Sequence, residues 1–202
     1  MSRKKRTVSV ILILVLALLV GFLSDRIWDA VEEHTHPMPY RETVMQCSLE
    51  YGVPEPLIYA VMKTESGFDP LAESSVGARG LMQMMEPTFT ELTGKGHLEE
   101  HLPFSALYTP EISIRYGVYY LRYLHDMFGD WRLAIAAYNG GLGNVRKWLS
   151  DPQYSDEQGN LTQIPFEETR KYVQKVEEAT EVYERLYFER TINTFNEGEQ
   201  KS

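Results

Sequence analysis

Cysteine is almost absent. Cys47 stands alone among 202 residues, so no disulfide can form within the chain and packing must hold the fold. Basic residues are also in short supply, with 20 Lys and Arg against 29 Asp and Glu and a net charge of -9. Nucleic acid is therefore excluded as a partner, because phosphate binding relies on Lys and Arg. Metal-ligand clusters are missing too: His34 and His36 are one residue apart, but no third ligand stands nearby, and prolines mark the segment as a solvated linker. Internal repeats and low-complexity tracts are absent.

Long apolar runs are limited to one. Val8 to Leu23 is interrupted only by Ser9 and Gly21, preceded by Arg3, Lys4, Lys5 and Arg6, and closed by Asp25 and Arg26. Its length is at the short edge of the roughly 17–25 residues of a spanning helix. No small-x-small cleavage site follows, so an uncleaved anchor is favoured over a cleaved signal. The basic cluster keeps the N-terminal end in the cytoplasm and sends the rest outward, with Trp28 at the far interface. The chain then divides into a basic tail over 1–6, an anchor or signal-like segment over 7–24, a linker over 25–39, a globular domain over 40–190 and a flexible tail over 191–202. This predicts a single-pass protein of the cell membrane with its domain outside the cytoplasm.

The body reads as mostly α. Apolar spacing and Pro/Gly punctuation predict helices over Tyr40 to Tyr51, from Pro54 or Pro56 to near Glu65–Gly67, a short one from Pro87, a long one from Pro110 to Phe128, then Trp131 to Tyr138, Val145 to Leu149 and Phe166 to Phe188. Aromatic residues make up 12% of the chain, enough for a well-packed core.

Chemistry concentrates in a few blocks. Glu65-Ser66-Gly67-Phe68-Asp69-Pro70 leads through Ser74-Ser75-Val76-Gly77-Ala78 to Gly80-Leu81-Met82-Gln83-Met84-Met85. A carboxylate at a helix end, against a glycine-rich turn and a Leu/Met wall, is placed to hold its proton near neutral pH, as a general acid must. Ser66 can bond backbone groups where the helix stops. Met82 and Met84 read as core. Further on come Ala136-Ala137-Tyr138-Asn139-Gly140-Gly141 and Ile164-Pro165-Phe166-Glu167-Glu168-Thr169-Arg170. Tyr138 can reach Glu65 or a substrate, and Asn139 suits a left-handed turn. Asp69, Glu73 and Glu86 are the local candidates for the second carboxylate that a glycoside hydrolase needs.

From about Tyr40 to Tyr187 these ordered blocks resemble the catalytic domain of the soluble lytic transglycosylases, lysozyme-like enzymes that cut peptidoglycan glycan strands. The resemblance implies a helical, lysozyme-like domain of goose or SLT type that needs no cofactor and no metal. It implies Glu65 as the sole catalytic residue, first acid and then base, with Ser74, Gln83, Met85, Tyr138, Asn139 and Glu168 lining the sugar cleft. It also implies that Arg170 and Tyr172 hold the Glu168 segment in place, and that the product is a 1,6-anhydro ring. Two departures stand out: Glu86 separates Met85 from the usual proline, and Leu142 replaces another. A hydrolytic muramidase and a catalytically silent, membrane-anchored peptidoglycan-binding protein remain open alternatives.

Overall fold

A computed structural model describes residues 3–93, 98 and 101–189, with the side chains of 3–15, 18, 25, 29 and 189 left aside. The chain divides into two units, Met1–Pro37 and Met38–Ser202. The first is one helix, α1 (Arg3–Thr35). It runs on through most of the stretch expected to be a linker over 25–39, because no proline or glycine interrupts it between Gly21 and Pro37. Among the described residues no helix is long and apolar enough to cross a membrane, so the anchor expected over 7–24 draws no support from the structure. Most of that segment's side chains, and the tail expected over 191–202, lie outside the described residues.

The second unit contains α2 (Arg41–Tyr51), α3 (Glu55–Ser66), α4 (Glu86–Thr93), a 3-10 turn (Phe104–Tyr108), α5 (Pro110–Phe128), α6 (Trp131–Gly140), α7 (Leu142–Leu149) and α8 (Glu167–Tyr183), which ends in a π turn over Glu184–Glu189. Among the described residues β pairing is confined to isolated bridges, Glu73–Arg79, Arg79–Met84 and Ser155–Leu161.

Local chemistry sets the helix ends. Proline near the first turn opens α3 and α5, where its missing N–H costs nothing. Gly52, Gly67 and Gly129 close α2, α3 and α5 with left-handed backbone. Asp130 caps α6, accepting from the Leu133 N–H at 2.8 Å.

Every residue from Pro56 to Met62 is buried, so α3 is apolar on all sides and runs through the middle of the unit. It packs on α8 and α2, while α5 packs on α2 and α6. A smaller cluster of Met84, Phe89, Leu92, Leu98, Leu107 and Tyr116 lies under α4 and the 3-10 turn. Gly117 of α5 makes room for the loop between α3 and α4: a Cβ there would come within 2.5 Å of Met82. Gly80 is similarly confined, because its φ is +75° and a Cβ would meet the Leu107 carbonyl oxygen at 2.0 Å.

Candidate active site

The buried α3 delivers Glu65 one residue before its own C-terminus. Gly67 turns the chain, and Phe68 follows at φ 70°. The Ser66 hydroxyl lies 3.1 Å from the Met62 carbonyl and 2.9 Å from the Leu81 carbonyl, and accepts from the Phe68 N–H at 3.1 Å. The role expected of Ser66 is met: it ties the helix end to the loop that returns beside it.

That loop is held by its own backbone and by side chains turned inward. The Ser74 N–H donates to the Ala78 carbonyl at 2.9 Å, and the Ser74 hydroxyl oxygen accepts from the Ala78 N–H at 3.0 Å. Gln83, at φ +46°, donates its amide to the Ala72 and Gly80 carbonyls at 3.0 and 2.9 Å. Its nitrogen thus serves the loop. On the outer side, Arg79 bonds Glu73 at 3.2 Å, and Tyr108 donates to the other oxygen of Glu73 at 2.6 Å. The Arg79 guanidinium also stacks over Phe104 at 4.6 Å. Met85, just beyond the loop, is 39% exposed, unlike the buried Met82 and Met84.

Two tyrosines approach from later helices. Tyr138 of α6 donates to the Met82 carbonyl at 2.7 Å, so its proton is engaged by backbone and not by Glu65. Tyr172 of α8 donates to Glu65 Oε1 at 2.6 Å. Burial pushes the Glu65 carboxyl up to about 7, and the bond from Tyr172 pulls it the other way. Burial, with the Glu65 charge next in weight, pushes both phenols well above their ordinary range and keeps them as donors.

The expected site residues are thus distributed unevenly. Glu65 and Tyr138 come together with the loop carrying Ser74 and Gln83. Glu168 is exposed in the first turn of α8. It precedes Tyr172 by four residues, which puts both on one helix face. Asn139 is exposed within α6, and the positive φ expected of it falls on Gly141 instead. The residue missed as a site residue is Tyr172. Its spacing of four from Glu168 and the need of a buried phenol for an acceptor were the available signals.

Arg170 donates to the Ile164 carbonyl at 3.1 Å, and the start of α8 is further held by Thr169, which is 2% exposed against Gly140. The candidate second carboxylates lie elsewhere. Asp69 caps its own turn through the Leu71 N–H at 2.9 Å, Glu73 is engaged by Arg79 and Tyr108, and Glu86 is exposed at the start of α4. Among the described residues none of them contributes to the shift of Glu65.

Residues 42–160 match the transglycosylase SLT domain family. The chain belongs to that family. The soluble lytic murein transglycosylase of Escherichia coli (strain K12) is 34% identical over 156 residues, covering 76% of this chain and 24% of that protein. The membrane-bound lytic murein transglycosylase C of Shigella sonnei is 34% identical over 167 residues, 72% of this chain and 46% of that protein. Among solved structures, the 70 kDa soluble lytic transglycosylase of Escherichia coli aligns with a TM-score of 0.72 and 32% identity over 81% of this chain and 26% of that one. An inactive glutamate-to-glutamine mutant of the lytic transglycosylase Slt of Pseudomonas aeruginosa aligns with a TM-score of 0.67 and 37% identity over 76% of this chain and 25% of that one. The mostly helical, lysozyme-like fold expected for an SLT domain is shared with these neighbours. This chain spans 24–46% of the length of the curated relatives just named.

Proposed function

We propose that this SLT-family chain is a peptidoglycan lytic transglycosylase that cleaves the MurNAc–GlcNAc β-1,4 bond, with Glu65 as general acid and then base. One observation carries the reading: a single half-buried carboxyl, raised to about 7, receives one hydrogen bond from a buried phenol. With Tyr172 on Oε1, the transferable proton belongs on Oε2. Protonated Glu65 donates it to the glycosidic oxygen as the C1–O bond breaks and positive charge develops on the MurNAc ring. The C6 hydroxyl of the same sugar then attacks C1, and Glu65 takes the hydroxyl proton. The ring closes as 1,6-anhydroMurNAc, no water is consumed, and the acid is restored. Tethering the nucleophile to the reacting sugar supplies a large effective concentration, so no second protein carboxylate is required.

Ser74, whose hydroxyl accepts from Ala78 and retains its own proton, Met85 with its exposed thioether, and Glu168 one turn before Tyr172 bind the sugars on this reading. Tyr138 acts at one remove, shaping the loop, as does the amide nitrogen of Gln83, while the Gln83 amide oxygen is the part of that side chain left for the substrate. Asn139 contributes from the exposed end of α6. No cofactor or metal takes part.

Mass spectrometry of muropeptides released from purified peptidoglycan tests the reaction. Products should carry anhydro ends, one water lighter than hydrolysed ones. Full-mass reducing ends, with a dead Asp69→Asn or Glu73→Gln variant, would replace the transglycosylase with a two-carboxylate hydrolase. Binding without any strand cleavage would leave a silent wall-binding protein.

The chain acts at the outer face of the cell membrane, held by the 7–24 segment with its basic end inside. Support comes from the sequence, in the Arg3–Arg6 cluster and the Val8–Leu23 run. A relative is named as membrane-bound. Protease added to cells with permeabilised outer layers should digest the domain and leave a small membrane fragment. A fully protected domain would refute this topology.

A further inference from the structure

An unbroken line of tyrosines leads from the neighbourhood of Glu65 across α5. Tyr138, close enough to Glu65 to respond to its charge, has its ring 5.4 Å from that of Tyr120. Tyr120 stacks on Tyr123 at 6.3 Å with the planes only 15° apart. Tyr123 is 36% exposed. It opens onto a groove of about 560 Å³, shared with Tyr119, Tyr51 and Arg122. Tyr51 meets Tyr119 edge-on at 5.6 Å, which extends the aromatic lining to the end of α2. The volume lies within the range of about 300–1,000 Å³ typical of ligand sites.

The groove's chemistry selects among ligands. Its one cation, Arg122, is paired with Asp126 at 2.7 Å, and Glu50 adds a further acid, so an anionic ligand finds no unmatched positive charge. Aromatic rings beside a guanidinium–carboxylate pair suit pyranose sugars. The C–H-rich faces of β-linked rings pack on aromatic rings, and their equatorial hydroxyls meet planar polar groups at the edge. Among the described residues the hydroxyls of Tyr119 and Tyr123 form no hydrogen bond, which leaves them to a ligand.

We propose that this groove holds distal sugars of the same glycan strand whose scissile bond lies at Glu65, with Tyr123 as the stacking residue between the two places. The inference rests on the glycan-cleaving reading above. It adds a second holding point on the face formed by α2 and α5, so the chain grips long strands better than short ones.

The test uses the full chain carrying Glu65→Gln, which binds without cutting, titrated calorimetrically with β-1,4-linked N-acetylglucosamine trimer and hexamer. The hexamer should bind more tightly than the trimer. Adding Tyr123→Ala should weaken the hexamer about tenfold, the loss of one aromatic stacking contact, and leave the trimer unchanged. Tyr123→Phe should keep the hexamer affinity, and Arg122→Ala should weaken it by a smaller factor. Thermal unfolding checks that each variant is folded, as expected for side chains on an exposed helix face. An unchanged hexamer-to-trimer ratio in both Tyr123→Ala and Arg122→Ala overturns the proposal while leaving the catalytic reading intact. So does an equal loss for both lengths. A length gain that appears only with peptide-bearing strands would assign the groove to the peptide stem instead. Failure of every oligomer to bind would overturn the glycan reading itself, and this inference with it.

Discussion

Glu65 and Glu73 are the same side chain eight positions apart, one at the end of a buried helix and one on an exposed loop. The structure drives them in opposite directions. Glu73 keeps its water, takes a hydrogen bond from Tyr108 and another from Arg79, and is held below the usual carboxylate range. Glu65 loses its water to the packing of α3 and α8, gains only the Tyr172 phenol, and rises to about 7. Donors without burial favour the charged carboxylate, whereas burial with one weak donor favours the protonated acid. Residue type alone cannot set this difference; the number of donors and the loss of water do.

The sharpest way to break this contrast is Glu65→Gln, which keeps shape and removes the transferable proton. Strand cleavage should fall by at least about 10²-fold while the protein stays folded. Substantial activity in a folded Gln variant would transfer the catalytic role elsewhere, first to Glu168.

Tyr172→Phe removes the one donor that favours ionised Glu65, so the carboxyl should rise further. The fall in kcat/KM with increasing pH, expected near 7 in the parent from the raised Glu65, should move to higher pH. The maximal rate should drop about tenfold as the carboxyl loses its orientation. An unmoved pH profile would mean that the Tyr172 bond does not persist in solution.

Stability offers an independent view of the same group. Folding raises the Glu65 pKa from 4.5 to about 7, so between those values the folded state binds more protons than the unfolded one. The resulting destabilisation is absent below pH 4.5, grows as pH rises, and is complete above about 7. Glu65→Gln should therefore be more stable than the parent at pH 8, by up to about 3 kcal/mol, with the difference vanishing at pH 4. Chemical denaturation at the two pH values would show it. A difference independent of pH would deny the raised carboxyl.

The smallest effect is expected at Glu73. Glu73→Gln should leave cleavage within about fivefold, as exposed ion pairs usually do. A much larger loss in product formation would mean that the Arg79–Tyr108 clamp sets the loop geometry.

Much of the fold was legible because prolines and glycines mark its joints. Pro54, Pro56 and Gly67 bracket α3, and Pro110 and Gly129 bracket α5 to the residue. Composition misled between Asp25 and Thr35, where polar residues suggested a connector although nothing there stops a helix. Similarly, α6 continues past Tyr138 because the break waits for Gly141, and α7 begins at Leu142, before the expected Val145. In the site, Glu65 and Ser66 were legible because helix end, glycine turn and apolar wall are consecutive. Tyr172 was not. It meets Glu65 across 107 positions of chain, a juxtaposition set by how α3 packs on α8. The inward turn of the Gln83 amide was equally hidden, since it depends on a positive φ that local composition does not announce.

Gly117 has no functional group, yet the site depends on its emptiness. Met82 fills the hollow left by its missing side chain. The Met82 carbonyl receives Tyr138, and the Leu81 carbonyl before it lies within reach of Ser66. Two adjacent backbone oxygens thus moor the ends of α6 and α3 to one peg, and that peg is seated in α5. Volume added at Gly117 would be felt at both moorings together, and the natural place for a compensating change is the thioether of Met82. Suppressors of a change at Gly117 should therefore be sought inside the core, at Met82, and not among the exposed residues.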